Sequence, residues 1–384
     1  MEATAGLEPT RPFAAGAFTF RVVTSDPADR DLIETLFHDL PNPEPGGALD
    51  GVFVMMRMEP HDADAWVLSG PGLEDQSALP IVGVLTSLMS AVNLCALDAE
   101  PESLHLHAAA AVKNGSAVII AASRNTGKTT TVAHLVKRGW GFVTDETVRL
   151  AADRNEVGGF SKPLSIKPGG GMLVDHLVEG MVPPAADGFE SFRFVSVGTM
   201  GASIAQGGRP ELVILLRRQE DGHPGDGAKS RALHPADAVV ALMQETLDAE
   251  RFEWAALRLA RLASDARCHE VVLGTPSQTT DLIEELFAQS PLEPFPVDVL
   301  GPSAAMAPGV VSVKIGDRVV VHHMGTGTIF ALDAAASNVW EQLGGWRNHE
   351  IDVHGPVVGA FVVQLRTLGV FADGPTTSDT GAGQ

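Results

Sequence analysis

Residues 121–130 read AASRNTGKTT. Gly127, Lys128, Thr129 and Thr130 are the residue types that handle phosphate when a strand delivers them to the start of a helix. Backbone N–H groups at a helix N-terminus point at an anion, a lysine reaches the outer phosphates, and the hydroxyl after it binds magnesium. The opening of the stretch departs from the glycine-rich pattern: Ala122 stands where glycine normally begins such a loop, and Asn125 where glycine is common. Both replacements are mild. Alanine has the smallest side chain that still permits close approach, and asparagine is the non-glycine residue most at ease with a left-handed backbone. Ser123, Arg124 and Thr126 complete the candidate loop, and Arg124 adds positive charge beside the phosphates. The competing reading is a chance GKT at a helix start.

Downstream lies an acidic pair, Asp145–Glu146. Phosphoryl transfer needs one carboxylate in the metal shell and, for a hydroxyl acceptor, often another as base or orienter; the alternative is a surface turn after a strand. His105 and His107 lie two apart on a strand-like stretch and so share one face or flank one edge. No further ligand at zinc spacing stands near them, which leaves a structural role or a place near the phosphates. Lys162 and Lys167 in SKPLSIKPGG, and Arg217 and Arg218 ending ELVILLRR, are either solvated surface charges or anion contacts.

The surrounding pattern supplies the elements that must position these groups. LHLHAAAAV is strand-like, NGS is a turn, AVIIAA is a short buried strand, and SRNTGKTTTVAHLVKRGW runs from loop into helix. Val132, Leu135 and Val136 give that helix one apolar face, Lys137 and Arg138 suit its C-terminus, and Gly139 can stop it. GFVTDETVRL reads as the next strand, and a parallel sheet would bring the acidic pair beside the loop. Strand, loop, helix, strand is the setting in which a phosphate loop is credible.

The chain has 384 residues and a formal charge of −21. Such an acidic balance excludes nucleic acid as a main partner and disfavours an anionic membrane surface. Cys95 and Cys268 form no closely spaced framework, which fits a reducing cytoplasm. The start MEATAGLEPTRPFAAGAF has neither a basic opening nor a long apolar run, so no signal peptide is expected in it. The apolar stretch 79–97 is interrupted by Thr86, Ser87, Ser90 and Asn93 and reads as a buried core helix rather than a membrane span. No tyrosine occurs, so no phenol can take part in chemistry.

The expected organisation is a loose tail over 1–15, an N-terminal α+β region over 16–100, a nucleotide-binding domain over 101–290, a linker rich in proline and small residues over 291–307, a compact module over 308–373 and a disordered tail over 374–384. In the first region FTFRVV is a strand and DPADRDLIETLFHDL a helix starting near Asp26 or Pro27. In the last module VVSVKIGDRVVVHH is a hairpin, GTIFAL a third strand, DAAASNVWEQLGG a helix capped by Asp333, and VVGAFVVQLRTLGVF a final helix.

The segment LHLHAAAAVKNGSAVIIAASRNTGKTTTVAHLVKRGWGFVTDETVRL resembles the HPr serine kinase family, with His107, Ala122–Thr130 and Asp145–Glu146 at the positions of its histidine, loop and acids. The resemblance implies a P-loop α/β core and ATP- and magnesium-dependent transfer of the γ-phosphate to a serine or threonine hydroxyl of a peptide or protein. It implies Asp145 taking or orienting the acceptor proton, Lys128 on the phosphates, Thr129 and Glu146 in the magnesium shell, and His107 supporting the base or the phosphate. Two loop glycines are absent, the second acid is glutamate, and the arginine- and glycine-rich signature of reversing members is missing, so neither reversal nor the HPr substrate is implied. Residues 308–373 resemble a winged-helix-like PqqD peptide-recognition domain, which adds the leader of a ribosomal precursor peptide as a strand. That resemblance places Thr328, Phe330 and Leu332 on the receiving strand and Val358, Phe361 and Leu365 on the facing helix. Together they imply a cytoplasmic kinase acting on a precursor peptide or protein, with homo-oligomers a possibility of the family. The alternatives are a nucleotide-binding adaptor that delivers a peptide without transfer, and a small-molecule kinase with the last module as a lid.

Overall fold

The computed structural model describes residues 7–58, 65–74, 77–151, 156–167, 193–219, 227–252, 254–290, 292–301, 306–343 and 356–371. It is a mixed α/β chain of two compact units, Met1–Arg231 with Glu270–Gln289, and Ala232–His269 with Ser290–Gln384.

The first unit begins with strands β1 (Glu8–Pro9), β2 (Phe13–Ala15), β3 (Phe18–Thr24), β4 (Gly51–Arg57) and β5 (Trp66–Ser69). They form one sheet in the order β1-β3-β4-β5, with β2 also on β3. Helix α1 (Pro27–Leu36) carries the chain between the parallel pair β3 and β4. It starts where Asp26 accepts a hydrogen bond from Ala28 N at 2.8 Å with Pro27 in the first turn, which satisfies an otherwise orphaned amide. Helix α2 (Ile81–Asp98) is long and apolar enough to cross a membrane, and half of it is buried within the fold. Its Val84, Leu85 and Leu88 join Phe20 and Phe53 in one core. Residues 7–15, expected as a loose tail, are instead tied into this sheet: Phe13 pairs with Phe20 and Ala15 with Phe18 across a turn at Gly16, whose φ is 59°. Burial of the Phe13 ring is what anchors the segment.

The larger sheet holds β6 (Leu104–Lys113), β7 (Ser116–Ala121), β8 (Gly141–Thr144), β9 (Thr147–Leu150), β10 (Val157–Gly158), β13 (Gly207–Arg217), β14 (Lys229–Ala232) and β15 (Arg267–Val272), while β11 (Leu164–Ile166) and β12 (Arg193–Val195) form a separate pair. Its order is β10-β9-β6-β7-β13-β15-β14, with β8 also on β6. The sheet is mixed rather than parallel: β7 runs parallel to β13 but antiparallel to β6, to which it is joined by a tight turn with Asn114 at φ 53° and Gly115 at φ 80°. Helices α3 (Lys128–Lys137) and α6 (Pro276–Phe287) cover it. Val132, Leu135 and Val136 of α3 pack with Ile120, Leu212, Ile214 and Ile283, so the apolar stripe of α3 meets the apolar strand β7. Gly139, at φ 88°, follows the end of α3.

The second unit contains helices α4 (Pro235–Gln244) and α5 (Ala255–Asp265), both expected in the nucleotide-binding domain. Arg318 holds α4 through two bonds to Asp237, at 2.7 and 2.8 Å. The sheet of this unit is antiparallel, in the order β16 (Val297–Leu300), β17 (Val310–Ile315), β18 (Arg318–His323) and β19 (Thr328–Ala331). Strand β16 lies inside the segment expected as linker. Helices α7 (Ala334–Leu343) and α8 (Pro356–Thr367) complete it, and Asp333 caps α7 by accepting from Ala336 N at 2.8 Å. The segment RNHEIDVHG, residues 347–355, which separates the two stretches resembling the PqqD domain and is short for its middle helix, lies outside the described residues.

Candidate active site

Strand β7 is fully buried from Ala117 to Ala121 and delivers the chain at Ala122 into an exposed loop that ends at α3. Two loop residues take positive φ, Asn125 at 64° and Gly127 at 131°. Asn125 therefore has the left-handed backbone that its residue type tolerates best after glycine. Ser123 Oγ and Thr126 Oγ1 lie 3.0 Å apart across the turn. Lys128, 7% exposed, donates from Nζ to the carbonyl of Ala122 at 2.5 Å, folding back along the loop. Two more cations reach the loop tip. Arg218, just beyond β13, donates from Nη2 to the Asn125 carbonyl at 2.6 Å, and Lys167, just beyond β11, donates from Nζ to Asn125 Oδ1 at 3.1 Å. Arg217 points elsewhere, to Glu270 Oε2 at 3.3 Å.

The stretch read as one strand, GFVTDETVRL, is two: β8 stops at Thr144, β9 starts at Thr147, and Asp145–Glu146 fill the break. Thr144 Oγ1 accepts from the amides of Glu146 and Thr147, each at 3.3 Å, and the Glu146 carbonyl accepts from Ala108 N at 3.1 Å. These bonds satisfy the backbone where the ladder is interrupted. The break turns the acids toward α3, where Thr129 Oγ1 donates to Asp145 Oδ2 at 3.0 Å.

Lys162 closes the cluster. Its Nζ stands 2.9 Å from Asp145 Oδ1 and 3.0 Å from Glu146 Oε2. The Lys162 side chain is 3% exposed and that of Asp145 2%, while that of Glu146 is 45% exposed. Gly159 makes this approach possible: a Cβ there would fall 3.0 Å from the Thr144 side chain and from the Thr147 carbonyl. Burial pushes the Lys162 ammonium toward losing its proton, but the charges of Asp145 and Glu146 outweigh it and raise its pKa. The charge of Lys162 holds the Glu146 carboxyl below its usual range, against the opposing effect of burial. His107 sits on β6 opposite Thr147. Burial, with the positive charges of Lys128 and Arg124, lowers its pKa to about 4 despite the nearby acids.

The structure thus brings together Lys128, Thr129, Asp145, Glu146 and His107 from the sequence-predicted set, with Ser123, Arg124, Asn125, Thr126, Gly127 and Thr130 forming the loop and helix start around them. His105 is buried and lines a small cavity with Glu100, Thr147 and Arg149. Lys162, left open in sequence between a solvated surface charge and an anion contact, is buried against two carboxylates, a pairing the sequence reading did not draw. Its only signal was its place beside proline and serine, between apolar positions. In the second unit, Leu332 and Leu365 are buried in the core, and Phe330, Val358 and Phe361 pack against it half-buried. Thr328 begins β19, which is an edge strand of its sheet.

Among the described residues, no three His, Cys, Asp or Glu side chains gather to hold a metal ion. The oxygen donors at the site are Thr129 and the two acids, a hard set suited to magnesium and one that a single protein shell leaves incomplete.

No protein-family model matches the chain, and no curated protein matches it. Among solved structures, the chain is similar to the Hpr(Ser) kinase/phosphatase from Coxiella burnetii, at 16% identity and a TM-score of 0.25, over 47% of this chain and 92% of that one.

Proposed function

We propose that the chain is an ATP- and magnesium-dependent kinase that transfers the γ-phosphate to a serine or threonine hydroxyl of a peptide or protein, with a ribosomal precursor peptide as the substrate class. The observation that carries this reading is the contact of Thr129 with Asp145, 3.0 Å, at the mouth of a strand–loop–helix whose loop holds Asn125 and Gly127 at positive φ. That contact puts the hydroxyl that follows the loop lysine beside a carboxylate, the juxtaposition phosphoryl transfer requires. In this reading the loop amides and Lys128 bind the β- and γ-phosphates. Thr129 and the acidic pair, through Glu146 and the Thr129-facing side of Asp145, would hold magnesium, which supplies compensation for phosphate charge when bound. Asp145 orients the acceptor hydroxyl and takes its proton as the acceptor oxygen bonds to the γ-phosphorus and the bond to the leaving ADP oxygen breaks. His107 is neutral at pH 7, because its pKa is lowered to about 4, and so accepts or donates one hydrogen bond there without adding charge.

The second unit supports a peptide acceptor. Strand β19 is a sheet edge with Thr328 and Phe330 half-buried on it, which suits addition of a peptide strand. Leu332 and Leu365, buried in the core, would set the floor of such a groove rather than touch the peptide. A second reading, an adaptor that binds nucleotide without transfer, is favoured by Lys162, which already occupies one side of Asp145.

The test is γ-labelled ATP with magnesium in a lysate of the native host, comparing wild type with Lys128→Ala and Asp145→Asn. Label on a peptide or protein band with wild type alone, with Asp145→Asn still binding ATP, is the expected result. Normal transfer by Asp145→Asn overturns the role of Asp145. Nucleotide bound with no transfer by any form establishes the adaptor, and label released only as free phosphate or on a small molecule removes the peptide acceptor.

A further inference from the structure

We propose that Lys162 keeps the Asp145–Glu146 pair from holding a divalent cation on its own, so that the metal enters this site only together with nucleotide. The inference rests on the reading of the site as a magnesium–nucleotide site. It concerns the order in which that site is filled.

The argument is one of charge and of free lone pairs. The two carboxylates and the one ammonium leave the cluster with a single net negative charge. Asp145 is engaged on both oxygens, Oδ1 by Lys162 and Oδ2 by the Thr129 hydroxyl. Glu146 gives one oxygen to Lys162, and its side chain is a little under half exposed. A hard divalent cation needs about six oxygen ligands and surrenders its own water reluctantly. One net charge and few uncommitted oxygens do not offset that dehydration, and among the described residues no third acid joins the pair. The buried ammonium cannot be displaced by solvent or screened by salt as a surface lysine can, because its side chain is 3% exposed. A triphosphate changes the balance. It brings several negative charges and its own oxygens to the adjoining loop, so metal and phosphates complete each other's shell. Lys162 then acts as a positioning residue: it holds the acids in place for the incoming complex and lowers their appetite for free metal.

The probe is Mn2+, titrated by electron paramagnetic resonance into the full chain after chelator treatment, first without nucleotide. The variant Asp145→Asn/Glu146→Gln gives the baseline from other surface acids. Wild type is expected to match that baseline, with no site-specific binding below about 1 mM. Lys162→Met, which takes the ammonium from between the two carboxylates, is expected to gain Mn2+ affinity by at least about ten-fold. Lys162→Met/Glu146→Gln, which restores the net charge, is expected to return to the wild-type value. Tight binding of Mn2+ by nucleotide-free wild type overturns the proposal, as does a Lys162→Met protein that folds and gains nothing. Should Lys162→Met fail to fold, Lys162→Gln, which removes the charge and keeps a polar end, takes its place in the series with the same expected gain and the same overturning result. A parallel titration with ATP and Mn2+ together addresses the kinase reading separately: absence of nucleotide binding there overturns that reading, while the nucleotide-free series still decides the role of Lys162.

Discussion

Lys162→Met removes the cation from a buried cluster and leaves its two acids behind. The magnitude follows from how the three groups are buried. The Asp145 side chain is 2% exposed and loses the ammonium that stands 2.9 Å from Oδ1, so it bears most of the cost of a buried charge deprived of its partner. Glu146 is 45% exposed, and water makes up much of its loss. Breaking a buried pair by deleting one partner costs about 3–5 kcal/mol, and the exposure of Glu146 places this case near the lower end, about 3 kcal/mol. A chain with a stability of about 5–15 kcal/mol survives that loss, so the variant folds and can be measured. Asp145→Asn costs less, about 1–2 kcal/mol, because Lys162 keeps Glu146 at 3.0 Å. If Lys162 and Asp145 are coupled as their 2.9 Å contact implies, the double variant is less damaged than the two losses added together, by at least about 1 kcal/mol. The assay is urea unfolding of wild type, both single variants and the double variant at pH 7.5, with the coupling taken from the cycle. A coupling within about 0.5 kcal/mol of zero, or a Lys162→Met protein as stable as wild type, refutes the account of a charge-locked cluster.

Three further outcomes follow from the site. Asn125→Val costs about 1–2 kcal/mol in urea unfolding, because a β-branched residue is strained at φ 64°, whereas Asn125→Gly stays within about 0.5 kcal/mol of wild type. Arg218→Met releases the Asn125 carbonyl that it holds at 2.6 Å and lowers ATP affinity by about ten-fold in calorimetry, the equivalent of one charge-assisted hydrogen bond, with an unchanged far-UV spectrum. His107 gives stability a pH dependence with a definite sign. Its folded pKa is lowered from 6.5 to about 4, so between these values the unfolded chain binds more protons, and stability falls as pH is lowered through that window. His107→Gln removes this share of the slope, seen as a flatter plot of urea midpoint against pH, while the contribution of Glu146 is lost only lower, as pH falls below 4.5.

What was legible in the sequence was the chemistry that acts over a few residues. Asn125 takes the left-handed backbone its type suggested, Asn114–Gly115 makes the hairpin, Gly139 follows the end of α3, and Asp333 caps α7. Each of these is decided by a side chain and its own backbone. Lys162 was illegible for the opposite reason. A lysine is by habit a surface residue, and nothing within its own segment says that two carboxylates wait for it. The close approach at Gly159 and the break between β8 and β9 had to exist first, and both depend on strands distant in sequence. The same reason applies to residues 7–15, where Phe13 is a core residue only once β3 is beside it, and to α4 and α5, which belong with a sheet that begins more than thirty residues after α5 ends in its first edge strand Val297–Leu300.

The position of the acidic pair shows how a correct juxtaposition can rest on an incorrect sheet. A parallel neighbour was expected to bring Asp145 beside the loop. In the structure β7 and β8 are not neighbours, because β6 lies between them and runs antiparallel to both. Two antiparallel steps restore the original direction, so β7 and β8 still point the same way and end at the same edge of the sheet. The inserted strand adds something that a parallel pair would have lacked. Since β6 runs the other way, its early residues lie at that same edge, with Ala108 opposite Ala121 and His107 opposite Thr147. A histidine upstream of the loop therefore arrives at the edge where the loop and the acidic pair lie by topology alone. The acids can turn toward Thr129 because β8 ends opposite Ala110 and β9 resumes opposite His107, which leaves the stretch between them free to leave the ladder.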